Sequence, residues 1–322
     1  MRRLLALLAA VLALAVPAAR AAEPLDLDIT RLGPPNAAAW MAADATLTQA
    51  QADQLAGDAR TRFAMLSSEL ILSLSSSLLE PAATVGHSGF AFDVEAAYTA
   101  VHKGVVGSST PFAAAPNDFP RDYWPTHNKT PTGLLVPSFH VRKSLPYSLE
   151  LGGRILYLSQ SSYMAAQLTG KWAIQEGYAM IPDVALLVAH TIFLGQKELN
   201  LSATDFTLMT SKRFGVSAVT SFTPYLAARL LVMRSGSDPI GYAPDAPTPA
   251  PPTAIVSQAG QFPSFTRNLY RTTLGVRMTA YATTMALEGT WFGGGAYKAA
   301  SGYPAYSLQS SLAAAFKLGF EF

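Results

Sequence analysis

From about residue 66 to residue 322 the chain changes chemical character almost every residue. Apolar and polar side chains alternate in segments of about ten residues, each followed by a turn or loop sequence. Only an extended strand sends neighbouring side chains to opposite faces. In "GFAFDVEAAYT", Phe90, Phe92, Val94 and Tyr98 oppose Asp93 and Glu95. In "LLVPSFHVRK", Leu135, Phe139 and Val141 oppose Ser138, His140 and Arg142. The same reading holds for "SLELGGRILYL", "YMAAQLTGKWAIQ", "TTLGVRMTA", "YATTMALEGTW" and the terminal Leu308–Phe322.

This spreading of apolar residues explains the composition. Half of the residues are hydrophobic and only 14% are charged, against about 25% in soluble domains. Yet beyond residue 21 no apolar run reaches the roughly 20 residues of a spanning helix. The best candidate, Val216–Val232, is broken by Ser217, Thr220, Ser221, Thr223, Pro224 and Arg229. Strands with one greasy face, closed into a ring, are the alternative way to cross lipid. The predicted fold is therefore all-β: an antiparallel transmembrane β-barrel of about 12 strands (10–14). "SELILSLSSSL", with Leu70, Leu72, Leu74 and Leu78 on one face, is taken as its first strand, and one further strand is expected before Leu66 or within a long loop. "PDVALLVAHTIFL" is apolar on both faces, and "ELNLSATDFTLMT" changes phase near Thr204–Asp205, which predicts a bulge or a strand that starts late.

Three regions follow. Residues 1–21 read as a secretory signal peptide: Arg2-Arg3, an apolar run from Leu4 to Val16, then Ala19-Arg20-Ala21. Residues 22–65 contain the Pro34-Pro35 breaker and a helix opened by a Thr48/Gln51 capping box, and form either a helical plug or a periplasmic segment. Residues 66–322 form the barrel. Its connectors are short at 144–146, 177–181 and 211–215 and long at His102–Thr130 and Ser235–Ser264, the second of which includes "YAPDAPTPAPPTA". Aromatic residues near strand ends, Tyr98, Tyr157, Tyr163, Trp172, Tyr281, Trp291 and Phe322, fit interfacial girdles.

Alternation directs Asp93, Glu95, Arg142, Glu150, Arg154, Lys171, Arg229, Arg277, Glu288 and Lys317 into the lumen. Both signs occur, so these residues either line a polar channel or pair across strands. In the terminal "FKLGFEF", Phe316, Leu318, Phe320 and Phe322 face outward, while Lys317, Gly319 and Glu321 face inward, where Gly319 is expected to accept substitution more readily than the outward stripe.

The alternating strands, the leader and "FKLGFEF" resemble Gram-negative outer-membrane β-barrel proteins, and "PSFHVRKSLPYSLELGG" is similar to stretches in uncharacterised proteobacterial exported barrels. The resemblance implies residence in the outer-membrane lipid bilayer. It also implies that Phe316, Leu318, Phe320 and Phe322 are an assembly signal read by the barrel-assembly machinery. It implies no activity.

The function read from these features is a narrow or plugged, porin-like pore for passive passage of small solutes. The alternatives are a closed structural or adhesive barrel acting through its extracellular loops, and an outer-membrane lipid hydrolase. No catalytic residues are assigned: Ser138 and His140 share a strand face about 6.6 Å apart along the chain, too far for a nucleophile–base pair. No metal ligands and no cofactor are assigned, since the chain has no cysteine and no spaced histidine motif. A net charge of +2 gives no reason to expect nucleic acid as a partner.

Overall fold

The computed structural model describes residues 23–101 (except 44 and 76), 124–126, 131–240 (except 179 and 218), 260–298 and 302–322. The strands are β1 (Phe90–Ala100), β2 (Gly133–Leu145), β3 (Leu149–Tyr157), β4 (Met164–Gln175), β5 (Asp183–Leu194), β6 (Leu199–Ser211), β7 (Phe214–Gly215), β8 (Thr220–Ser237), β9 (Phe265–Ala280), β10 (Thr283–Phe292), β11 (Gly295–Tyr297), β12 (Tyr306–Leu308) and β13 (Ser311–Glu321). Ten of them close an antiparallel ring. The order runs β6-β5-β4-β3-β2-β1-β13-β10-β9-β8, and β8 pairs back onto β6. The two-residue β7 lies against β8, and β11 and β12 form a separate hairpin.

The faces follow the alternation. Across the β1–β13 seam the register pairs Phe92 with Phe320, Val94 with Leu318 and Ala96 with Phe316 on the outside. It pairs Asp93 with Gly319 and Glu95 with Lys317 on the inside. Outward apolar side chains recur round the ring, among them Leu168 at 72% exposed, Leu274 at 65% and Ile155 at 57%.

Among the described residues ten strands close the ring, the low end of the expected range rather than about twelve, because the segment expected as the first strand is helical. A 3₁₀ turn covers Ile29–Leu32, α1 covers Ala37–Ala43 and α2 covers Gln49–Leu74. The Thr48/Gln51 capping box opens α2 as expected, and the boundary placed at 65/66 falls inside this helix. Leu70, Leu72 and Leu74 mimic period two, but Leu66, Leu70, Ile71 and Leu74 also satisfy the helical period. Every residue from Phe63 to Leu74 is buried, so no polar stripe reveals the helix. Two of its buried hydroxyls bond back within the helix: Ser68 Oγ donates to the Ala64 carbonyl at 2.7 Å and Ser73 Oγ to that of Glu69 at 2.9 Å.

The enclosed chain, helical down to Leu74 and irregular beyond it, also explains the two segments of ambiguous phase. β6 runs without a bulge, its odd-numbered residues all facing in. Its inward side chains change from Leu199, Leu201 and Ala203 to Asp205 and Thr207 because the first three pack in the apolar cluster that holds Leu66, Leu70 and Leu74. β5 points Leu187 and Ala189 inward into a cluster with Leu78, Ala82 and Met209. The irregular register lies instead in β4, between Ala173 and Gln175.

The ring has two unlike rims. At the turn rim, β2–β3, β6–β8 and β9–β10 are joined by short connections, and Phe90 N donates to the Phe322 carbonyl at 2.7 Å. At the loop rim lie the long β1–β2 and β8–β9 connections. Their interiors, like the expected signal peptide at 1–21, fall outside the described residues apart from 124–126. Residues 23–32 pack at the loop rim, where Leu25 N donates to the Gln160 carbonyl at 2.9 Å and Leu27 bridges to Thr126. Tyr163, expected in an interfacial girdle, is 3% exposed and turns inward to bind this segment.

Gly319 is less tolerant than its inward position suggested. A Cβ there would lie 1.8 Å from Asp93 Oδ1, whereas a Cβ at outward Gly289 would meet nothing within 4 Å. Gly319→Val is expected to open the β1–β13 seam, overpacking costing roughly 1–3 kcal/mol or more, while Gly289→Val retains the closed ring. The fraction of compact, fast-migrating species on unheated denaturing gels checks both.

Candidate functional site

All ten lumen charges named from the sequence lie on the inner face, and none is more than 7% exposed. The structure joins them into a network with Glu321, which alternation had also turned inward, and with three partners it did not pick out: Glu80, Asp205 and Arg271.

Arg142 on β2 is the hub at the turn-rim end. Its Nη2 lies 3.1 Å from both Asp93 and Glu321, and its Nη1 lies 3.4 Å from both Glu80 and Glu150. Lys171 Nζ on β4 adds contacts of 2.7 Å to Glu80 and 2.9 Å to Glu150. Lys317 meets the other oxygen of Asp93 at 3.4 Å, and Arg277 shares Glu321 Oε1 with Arg142 at 2.9 Å. Next along the lumen, Arg154 meets Glu95 at 2.9 Å, and Ser138 Oγ donates to Glu95 at 2.9 Å. His140 Nδ1 is 3.4 Å from Glu95. Ser138 thus spends its proton on a carboxylate, and it forms no nucleophile–base pair with His140.

Asp93, Glu95 and His140 bring candidate ligand atoms within 4.8 Å of one another. Arg142, Arg154 and Lys317 already stand within 2.9–3.4 Å of the two carboxylates, so a cation here would have to compete with bound positive charge.

The remaining charges hold the chain that fills the lumen. Arg229 and Arg271 both bind Asp205 and both donate to the Ser75 carbonyl, the first at 3.2 Å and the second at 2.5 Å. Ser75 is the C-cap of α2, so two guanidinium groups meet the negative end of the helix dipole. Glu288 accepts from Leu78 N at 2.8 Å, Leu79 N at 2.5 Å and Tyr225 Oη at 2.8 Å. This grip holds Leu79 in a left-handed conformation, φ 56°. Arg154 donates to the Ser77 carbonyl at 2.9 Å. Farther down, Ala82 N donates to Ser211, Thr84 N to Glu176 and Val85 N to Glu150, at 3.1, 2.8 and 3.0 Å.

At the loop rim, Tyr163 Oη accepts from Leu27 N at 2.7 Å. Burial pushes this phenol well above its ordinary range, so it stays neutral. Asp26 accepts from both Ser162 N and Ser162 Oγ, at 2.7 and 2.9 Å.

Of the partners missed, Arg271 was within reach. It shares the parity of Thr273, Gly275 and Arg277, and extending that strand toward its N-terminus includes it. Asp205 was hidden by the apparent phase change in β6, and Glu80 sits on no strand at all.

Removing the hub isolates several carboxylates at once. Arg142→Met should lower stability by about 3–5 kcal/mol, the range for breaking a buried ion pair. Arg213→Met on the exposed β6–β8 connection should be near neutral. Thermal unfolding in detergent micelles measures the difference.

No protein-family model and no curated protein matches this chain. Among solved structures it is similar to Ail, described as the attachment invasion locus protein of Yersinia pestis, with 8% identity over 74% of this chain and all of that chain, at a TM-score of 0.27. The same protein in complex with the heparin analogue sucrose octasulfate gives 8% identity, the same coverage and a TM-score of 0.23. Likenesses of this size support no conclusion about this chain.

Proposed function

We propose that the protein is an outer-membrane β-barrel sealed by its own N-terminal chain, working as a closed anchor that holds a structured loop rim at the cell surface for binding. The observation that carries this reading is the filled lumen. Lys317 and Asp93 are 0% exposed and Arg142 is 1% exposed, and the wall's charges end on one another or on the backbone of residues 75–85. Charges lining an open channel would face water.

The bilayer assignment rests on the outer wall. Large apolar side chains are exposed on strands all round the ring, an area no water-facing monomer sustains. In this reading residues 1–21 are a cleaved export signal, residues 23–85 are one rim-to-lumen segment, and Phe316, Leu318, Phe320 and Phe322 form a wall stripe that the assembly machinery recognises. The loop rim supports the binding role. There the N-terminal segment and the β11–β12 hairpin pack over one buried cluster that includes Phe63, Trp124, Phe262 and Tyr303, while α1 packs through Trp40 on Ala52 and Ala56 of α2.

The pore reading becomes a conditional one: a solute could pass only where residues 66–85 withdraw. Planar bilayer recordings separate the two. The full chain should give no steady conductance, and a chain lacking residues 23–82 should give resolved conductance steps. Steady current through the full chain would reject the sealed-anchor reading in favour of a pore. Phe316→Arg, an outward charge in the wall, should cost about 2–4 kcal/mol and reduce membrane-inserted protein.

A further inference from the structure

We infer that this barrel carries its own N-terminal segment through its lumen to the cell exterior, a topology that rests on the membrane reading above. Three observations combine.

The first is where the two ends of the segment lie. β1 starts at the turn rim, where Phe90 and Phe322 exchange backbone hydrogen bonds of 2.7 and 2.9 Å. Residues 25–27 lie at the opposite rim. Leu25 N donates to the Gln160 carbonyl at 2.9 Å, and the Leu27 carbonyl accepts from Gln196 Nε2 at 3.1 Å, which ties the chain to the β3–β4 and β5–β6 connections.

The second is the order of contacts between them. Ser67 meets Ser235 and Glu69 meets Trp124 near the loop rim. Ser75 then meets Arg229 and Arg271, Ser77 meets Arg154, and Leu78 meets Glu288. Glu80 meets Arg142 and Lys171, Ala82 meets Ser211, Thr84 meets Glu176 and Val85 meets Ser144. On the wall these partners descend from one rim to the other, so the segment threads the ring.

The third is what the wall holds. Apart from Glu80 and the Thr84 hydroxyl, its polar contacts from Ser75 to Val85 are mostly with main-chain atoms: the carbonyls of Ser75, Ser77 and Leu78 and the N–H groups of Leu78, Leu79, Ala82, Thr84 and Val85. A chain inside a closed ring has lost water as a partner, and each unmet backbone group is costly. Side chains that satisfy backbone rather than side-chain groups form a track that tolerates many sequences. Such a track suits a chain that has to be drawn through.

Outer-membrane barrels place short turns toward the periplasm and long loops outside. An exported chain arrives from the periplasm, so the residues before Leu66 reach the loop rim only by crossing with the barrel.

The chain has no cysteine, so single substitutions report sidedness cleanly. Three full-length variants expressed in a Gram-negative host suffice: Pro24→Cys on the N-terminal segment, Lys197→Cys on a loop-rim connection and Tyr178→Cys on a turn-rim connection, all exposed positions. Labelling with a membrane-impermeant maleimide is compared in intact and permeabilised cells. Pro24→Cys and Lys197→Cys should label to the same extent before and after permeabilisation, and Tyr178→Cys only afterwards. If Pro24→Cys follows Tyr178→Cys while Lys197→Cys labels from outside, the threading is wrong and the membrane reading stands. If Pro24→Cys and Lys197→Cys label only after permeabilisation while Tyr178→Cys labels in intact cells, the segment is not exported. If Lys197→Cys and Tyr178→Cys behave alike, the protein does not span the membrane and both readings fall.

Discussion

A chain enclosed by a completed β-ring cannot add to the ring's hydrogen-bond ladder, because every inner strand edge is already taken. Its own backbone must be satisfied some other way, and this molecule uses two. Down to Leu74 the enclosed chain is helical and satisfies itself, so the wall around it can be apolar: Leu199, Leu201, Leu231 and Met233. Past Ser75 the helix ends, and there the wall becomes ionic. The inner face thus changes chemistry with depth because its contents change structure with depth.

The ionic half is expensive in isolation and stable only as a set. Each buried charge sacrifices hydration, and partial pairing would leave it worse off than an apolar replacement. Cations and carboxylates named in the network are equal in number, and groups such as Arg142, Asp93 and Asp205 each meet more than one opposite charge. The same arrangement fixes register. Sliding the enclosed chain by one residue would take Ser75 from two guanidinium groups and the Leu78 and Leu79 N–H groups from Glu288 at the same time.

The wall was legible in the sequence because alternation depends only on the strand and on two unlike faces, apolar outside and polar in the lumen. The inward faces of Asp93, Arg142 or Lys317 follow from parity alone, but the count does not: parity suggested about twelve strands, and ten close the ring. Legibility failed wherever the lumen was not polar. The upper part of β6 looked like a bulge because its inner neighbour is a helix, and Ser68–Leu74 looked like a strand because a helix buried on every side has no polar face to mark it. Glu80 could not be found from periodicity, since it belongs to a stretch with no repeating conformation. Gly319 could be placed on the inner face but not judged, because the Asp93 carboxylate that occupies its missing side chain lies across the seam, more than two hundred residues away in sequence.

The bonds that hold residues 75–85 also determine how the barrel would respond to force. They reach the enclosed chain sideways from the wall, while a pull on the N-terminal segment from the loop rim acts along the lumen axis. The contacts at Ser75, Leu78, Glu80, Ala82 and Thr84 are then strained in shear, sharing tension rather than peeling one after another. Tension that does pass them arrives at Phe90, where β1 lies antiparallel between β2 and β13 and is itself sheared along its length. A pull on the N-terminal segment is therefore carried to the wall through a mechanically stiff path, with no disulfide anywhere along it.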